Sequence, residues 1–203
     1  MSAPAVVTGP KRGVLLLLLL LFFAPLLLAF VLYYGSGWRP SGRTNHGELI
    51  EPARTLPLVA LPRIALAPGG DALAAADVLT GKWSLVYANS GDCNADCRDT
   101  LYFMRQTYLG LADLASRVQR VFLVTAGCCD RDYLAREQPG LITLNADGAA
   151  GAVLLEQFPS ERRSSSIFVV DPRGNLMLRY DAHDDPKGLR NDLKKLLALS
   201  HIG

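Results

Sequence analysis

The sequence predicts an α/β domain carried on a single N-terminal transmembrane helix. Three observations predict it. Val14–Tyr34 is an uncharged, Leu-dominated run. Short β-rich apolar runs alternate with helical periodicity between Trp83 and Thr125. The C-terminal third then reads as a hairpin followed by an amphipathic helix.

Val14–Tyr34 is long enough to cross a hydrocarbon core of about 30 Å at about 1.5 Å per residue. A cleavable signal peptide has an apolar stretch of only roughly 7–15 residues, and no small-x-small cleavage site stands near Tyr33–Ser36. The expected organisation is a tail over residues 1–13, a transmembrane helix over 14–34, a stalk over 35–70 and a folded domain over 71–203. Lys11 and Arg12 on one side are balanced by Arg39 and Arg43 on the other, so charge alone does not orient the helix. The short head and the four cysteines of the C-terminal part favour an N-terminus inside and a folded domain in an oxidising compartment. The net charge of +2 is too small to argue for nucleic acid and no basic stripe is interleaved with aromatics, so no nucleic-acid partner is expected.

Residues 35–70 are rich in Pro, Gly and Arg, with one or two short extended segments expected within Leu56–Leu66, where Pro62 confines them to an edge. Trp83–Ala88 reads as a buried strand and Asn89–Asp92 as a turn. Leu101, Met104, Tyr108, Leu111, Leu114 and Val118 recur at spacings of three and four, which predicts a helix over Thr100–Arg120 with its first turn starting at Cys93. Val121–Thr125 is a second buried strand, Asp130–Glu137 a short helix and Leu141–Leu144 a short strand. Ser166–Asp171, a Pro-Arg-Gly-Asn turn and Leu176–Tyr180 form a hairpin. Asp185 and Pro186 supply an N-cap and an N1 proline for a last helix with Leu189, Leu193, Leu196 and Leu197 on one face. A βαβ unit with parallel pairing, closed by a hairpin and a helix, is the element order of thioredoxin-like domains.

The chemistry sits at the first strand-to-helix handover, Gly91-Asp-Cys93-Asn-Ala-Asp-Cys97. Residues four apart in a helical turn share a face, with Cα atoms about 6 Å apart, within disulfide range. Two thiolates there can also grip one soft ion such as Cu(I) or zinc. A helix N-terminus lowers a thiol's pKa, whereas Asp92, Asp96 and Asp99 oppose a thiolate. Cys93, nearer the helix start, is the expected attacking thiol and Cys97 the resolving one. Cys128 and Cys129 follow the neighbouring strand. Carboxyl ends of parallel strands share one edge, so all four thiols are placed to cluster there. A second redox pair, a resolving thiol for Cys93, and incidental loop residues all remain open for these two. Arg162 and Arg163 precede the hairpin, where they either face the acidic cysteine loop or stay solvated.

Residues 81–97 resemble the first strand and Cys-x3-Cys loop of the Sco/SenC family, and Ile167-Phe-Val-Val-Asp-Pro-Arg-Gly-Asn175 resembles its later strand and Asp-Pro-x-Gly turn. The resemblance runs in order over about residues 77–198. It implies a membrane-anchored, thioredoxin-like copper chaperone or thiol reductase in the bacterial inner membrane, its soluble domain in the periplasm. It implies Cys93 and Cys97 as both redox and metal-ligating residues, Cu(I) as the metal, and a cytochrome c oxidase subunit or another copper or thiol protein as partner. The alternatives are a general periplasmic thiol–disulfide oxidoreductase and a non-catalytic oxidase-associated scaffold. The family's copper-ligating His has no counterpart in Phe158–Ser166, and thioredoxin's cis-Pro has none directly before Ser166. His183, after the last strand, either approaches the edge of the site as a substitute ligand or, the default, stays an exposed loop residue beside the Asp185 N-cap; His46 falls in the expected stalk and His201 near the C-terminus.

Overall fold

The computed structural model describes residues 12–35, 45–66, 74–75, 77–183, 185–200 and 202–203. Tail residues 1–11, stalk residues 36–44 and 67–70, and His201 lie outside the described residues. The chain divides into two units, Met1–Arg43 and Thr44–Gly203.

The first unit contains helix α1, Arg12–Gly35, with Pro25 inside it and every residue exposed. Its 24 residues make it long and apolar enough to cross a membrane. Proline is tolerated in such a helix because local adjustments and neighbouring groups satisfy the freed carbonyl.

The second unit is built on a six-stranded mixed sheet in the order β1-β8-β7-β4-β5-β6. Its strands are β1 (Glu48–Thr55), β4 (Trp83–Asn89), β5 (Val118–Val124), β6 (Ile142–Asn145), β7 (Ser166–Val170) and β8 (Asn175–Asp181). The pairs β4–β5 and β5–β6 are parallel; β4–β7, β7–β8 and β1–β8 are antiparallel. The central strands are covered on both faces, and their period-2 geometry sorts the apolar run into two cores. Trp83, Leu85, Tyr87, Phe122, Val124, Ile167 and Val169 meet helices α2 (Ala95–Leu109) and α5 (Pro186–Leu199) through Leu101, Met104, Leu189, Leu193 and Leu197. Val86, Ala88, Val121, Leu123, Phe168 and Val170 meet Leu154 of α4 (Ala149–Leu155), Phe158, Leu56, Leu61 and Leu79. Each Val, Leu, Ile, Phe or Met among them is worth about 1.5–3 kcal/mol relative to exposure.

The hairpin and the α5 cap form as expected. Asp185 accepts from the backbone N–H groups of Lys187 and Gly188, and Asp171 closes the β7–β8 turn by accepting from Arg173 and Asn175. Asp130 likewise caps α3 (Arg131–Glu137), its carboxylate accepting from the Tyr133 N–H.

Three features depart from the sequence reading. Residues 48–55, expected in the stalk, form one of the two edge strands, with Glu48 opposite Arg179 and Thr55 opposite Asn175. This strand carries Pro52 and is largely exposed, so it lacks the apolar alternation that marks a half-buried strand. The segment after it holds the short extended piece expected there. Strand β2 (Leu61–Pro62) pairs with β3 (Ala74–Ala75), and Arg63 bridges to Leu144 at the β6 edge.

The helix expected over Thr100–Arg120 stops at Leu109. Gly110 caps it close against Arg190, a 3₁₀ turn follows over Ala112–Arg117, and Val118 opens β5. A 3₁₀ turn repeats every three residues, so Leu111 and Leu114 still face the core and the periodicity does not register the break. Finally, α4 is a seven-residue Ala/Gly/Val/Leu helix without a side-chain N-cap, which leaves no start signal in the sequence.

Candidate functional site

Strand β4 ends at Asn89, and the chain turns through Ser90–Cys93 into α2. Asn94 is the N-cap, its side-chain oxygen accepting the Cys97 N–H at 3.1 Å. The helix therefore begins after Cys93 and not at it. Cys93 stands in the loop with φ +39°, while Cys97 lies in the first turn. The two form a disulfide across a Cα–Cα distance of 5.0 Å, and both are buried, Cys93 to 2% and Cys97 to 0% exposure. The burial follows from their neighbours: both belong to the core cluster beneath α2 that includes Tyr87, Leu101 and Phe122.

The loop after β5 lies beside this turn. Gly91 donates its N–H to the Ala126 carbonyl at 2.8 Å, and the Ser90 hydroxyl donates to the same oxygen at 3.2 Å. The approach is so close that a Cβ on Gly91 would collide with the Gly127 carbonyl and lie 2.9 Å from Cys128 Cα. Gly91→Ala is therefore expected to push the two loops apart and cost about 1–3 kcal/mol, the range for overpacking. Urea denaturation of the variant checks it, and an unchanged midpoint would contradict the close approach.

Cys128 and Cys129 are joined to each other. Adjacent cysteines seldom meet the geometry of a disulfide comfortably, so the sequence leaves this pairing open. Cys128 is exposed, whereas Cys129 is half-buried and packs against the cluster that contains Cys93 and Cys97. Arg98 spans the two loops. Its Nε donates to the Cys93 carbonyl at 3.2 Å, its Nη2 pairs with Asp130 at 3.1 Å, and its guanidinium lies 4.6 Å from the Tyr133 ring centre.

On the other side of the cysteine turn is an open depression of ≈ 490 Å³ lined by Asn89, Asn94, Asp96, Ser164, Ser165 and His183. His183 thus reaches the edge of the site, as its place after β8 suggests. Tyr87 supports this wall from below. Its hydroxyl donates to the Ser164 carbonyl at 2.8 Å and accepts from Asn89 Nδ2 at 2.6 Å. Burial pushes the Tyr87 phenol above its ordinary pKa, so it stays a donor. Arg162 and Arg163 do not engage the acidic cysteine loop: Arg162 approaches Asp181 at 3.9 Å, and Arg163 donates to the Phe158 carbonyl at 2.8 Å. Among the described residues no group of three or more His, Cys, Asp and Glu is arranged to hold a metal ion, so any soft ion at Cys93 and Cys97 would rest on a two-sulfur donor set. The cis peptide among the described residues is Glu51–Pro52, remote in sequence from the turn before β7.

A network missed by the sequence reading lies at the β1–β8 edge of the sheet. Asp192 of α5 accepts from the His46 N–H at 2.6 Å, the Gly47 N–H at 3.2 Å and the Tyr180 hydroxyl at 2.7 Å, and its other oxygen meets His46 Nδ1 at 2.9 Å. His46, expected in the stalk, is thus tied into the domain. Its partner is 146 positions away, and no local signal announces a contact of that span.

The model of a family described as "transmembrane-like, thioredoxin-like, C-terminal domain" matches residues 83–200. Among solved structures, ScoI of Bradyrhizobium japonicum with copper bound is 18% identical at a TM-score of 0.55, over 70% of this chain and 99% of that one. The apo Sco1 protein of Thermus thermophilus is 18% identical at 0.58, over 77% and 99%. BsSco, named as a member of the Sco family of cytochrome c oxidase assembly proteins in which a disulfide switch was identified, is 15% identical at 0.53, over 75% and 100%. At these identities the likeness is one of fold. No curated protein matches the chain in sequence.

Proposed function

The chain belongs to the transmembrane-like, thioredoxin-like family, and from that premise we propose that it is a membrane-anchored thiol–disulfide switch that serves the assembly of a copper oxidase. The observation that carries this is the pairing of Cys93 and Cys97 across a strand-to-helix turn at the carboxyl end of the parallel strands β4 and β5, where sites of open α/β sheets collect. In this reading α1 anchors the protein in a bacterial inner membrane with its tail in the cytoplasm and its soluble domain in the periplasm. Its partner is a cytochrome c oxidase subunit or another copper or thiol protein. Support comes from the shared fold with Sco proteins, one of which carries a disulfide switch and another bound copper.

The chemistry is a two-electron exchange. In the reduced state one cysteine attacks a partner disulfide, and the other displaces the partner from the mixed disulfide. The proposed attacker is Cys93, which stands in the loop outside the helix, with Cys97 as the resolving thiol.

A second reading, Cu(I) as cargo, is favoured by the donor set. Two neighbouring thiolates suit a soft monovalent ion, and the absence of the family's His from Phe158–Ser166 removes the imidazole suited to Cu(II).

The test is to equilibrate the full chain in detergent with graded thiol–disulfide buffers, then quench with acid and alkylate. A reversible two-electron transition of Cys93 and Cys97 is expected, and a pair that stays oxidised in every buffer while the fold is intact would sink the switch. Titrating the reduced chain with Cu(I) against a chromogenic chelator examines the second reading. One equivalent is expected, lost in the Cys93→Ser/Cys97→Ser variant; equal binding by both proteins would remove these sulfurs as the copper site.

A further inference from the structure

The four cysteines form a gradient from solvent to core. Cys128 is exposed, Cys129 is half-buried, Cys93 is 2% exposed and Cys97 fully buried. The steps of that gradient are joined physically. The loops carrying the two pairs share hydrogen bonds at Ala126, Gly91 has its backbone against Cys128, and Cys129 packs on the cluster that holds Cys93 and Cys97. Arg98 fixes both loops at once, through the Cys93 carbonyl and Asp130, the residue after Cys129. Of the four, Cys128 is the most open to a macromolecular dithiol and Cys97 the least.

We propose that Cys128 and Cys129 form a relay through which a partner protein dithiol reduces the buried Cys93–Cys97 disulfide. The proposal rests on the redox reading of Cys93 and Cys97 given above.

The electrons and protons balance in four exchanges. A partner thiolate attacks Cys128 Sγ; the Cys128–Cys129 bond breaks and Cys129 leaves as a thiolate. Cys129 attacks Cys93 Sγ; the Cys93–Cys97 bond breaks and Cys97 takes up a proton. The partner's second thiolate attacks the partner sulfur bound to Cys128, which forms the partner disulfide and frees Cys128. Cys128 then attacks Cys129, restoring the vicinal disulfide and releasing Cys93, which takes up the second proton. The partner dithiol is oxidised, Cys93–Cys97 is reduced, and Cys128–Cys129 returns to its starting state. Cys93 is the acceptor because it stands in the loop two residues from Gly91, whereas Cys97 is enclosed in the helix.

The experiment uses the full chain in detergent, with reduced thioredoxin as the macromolecular dithiol probe. Circular dichroism confirms that each variant is folded. Reduction of Cys93–Cys97, followed by alkylation and peptide mass, is expected to be slowed by about tenfold or more in Cys128→Ser/Cys129→Ser, because thiol access governs exchange rates. An unchanged rate in that variant would overturn the relay and leave the redox reading standing. A wild-type pair that thioredoxin never reduces would overturn the relay, and one that small-molecule dithiol buffers also leave oxidised in the folded chain would overturn the redox reading with it. A trap gives an independent readout. In Cys97→Ser/Cys128→Ser only Cys93 and Cys129 remain, and mild oxidation with diamide is expected to join them within one chain. Two thiols that stay freely alkylated, or bond only between chains, would overturn the relay even if the kinetic arm slowed.

Discussion

Replacing Asp192 with Ala is expected to cost about 3–5 kcal/mol, since removing the acceptor leaves a buried hydroxyl and two backbone N–H groups without a partner. The carboxylate is 4% exposed and takes hydrogen bonds from Tyr180, His46 and Gly47. Burial alone would raise its pKa. The hydrogen bonds from the Tyr180 and His46 side chains and from the His46 and Gly47 backbone outweigh burial and hold it below its ordinary value. Tyr180 is pushed the other way, first by burial and then by the neighbouring Asp192, so it remains a protonated donor.

The sign of the pH dependence follows. A carboxyl depressed in the folded state stabilises fully above its unfolded pKa of about 3.9, and that contribution is lost as pH falls through the lower folded value. Urea midpoints measured from neutral pH down to acid should therefore fall at the acid end in the wild type. In Asp192→Asn, which keeps one oxygen acceptor and no charge, the unfolding free energy should start lower by about 2 kcal/mol and the midpoint should lose this part of the acid dependence. Parallel curves for the two proteins would show that Asp192 does not carry it. The same network fastens the residues that precede β1 to β8 and α5, so these variants also report how firmly the start of the domain is held.

That network marks the limit of what is legible in a linear sequence. Strands β4, β5 and β7 announce themselves because both faces are buried, and a run such as Trp83–Ala88 or Ile167–Val170 has few other stable places to go. Helices α3 and α5 announce themselves by their caps, Asp130 and Asp185. Strand β1 does not: its stabilisation comes from pairing with β8 and from long-range contacts such as Glu48 with Arg179, not from a pattern within Glu48–Thr55. A composition rich in Pro, Gly and Arg describes its flanks, and the strand is absorbed into their reading.

The site divides in the same way. Strand-to-helix handovers at the carboxyl ends of parallel strands are legible, so Cys93, Cys97 and the neighbouring Cys128 and Cys129 fall at one edge as the topology requires. The helix α2 starts at Ala95 and not at Cys93, because Asn94 serves as its N-cap. Which sulfurs bond, and how deeply each is covered, depends on packing beneath α2, which spacing does not encode. The exposure gradient from Cys128 to Cys97 is therefore a structural fact with a functional consequence that no motif states.

The packing that covers those sulfurs can be removed from below. Tyr87→Ala is expected to cost about 3–5 kcal/mol, the range for deleting a fully buried aromatic. The ring is 0% exposed, stacks on Phe122 at 5.7 Å between centroids and belongs to the same cluster as Cys93 and Cys97. Tyr87→Phe separates the two parts of its role. It keeps the ring and removes only the hydroxyl that donates to the Ser164 carbonyl and accepts from Asn89, so about 1–2 kcal/mol is expected. The difference between the variants measures the ring's packing, and the Phe variant alone measures the polar tie that holds the Ser164–Ser165 wall of the depression opposite Asn94 and Asp96. Urea denaturation gives both numbers. If the Phe variant proved as unstable as the Ala variant, the hydroxyl would be the chief anchor and the stacked ring secondary. If the Ala variant were near wild type, the floor beneath the cysteine turn would have to be held elsewhere. With the ring gone, thioredoxin is also expected to reduce Cys93–Cys97 faster, because a loosened floor exposes the buried sulfurs.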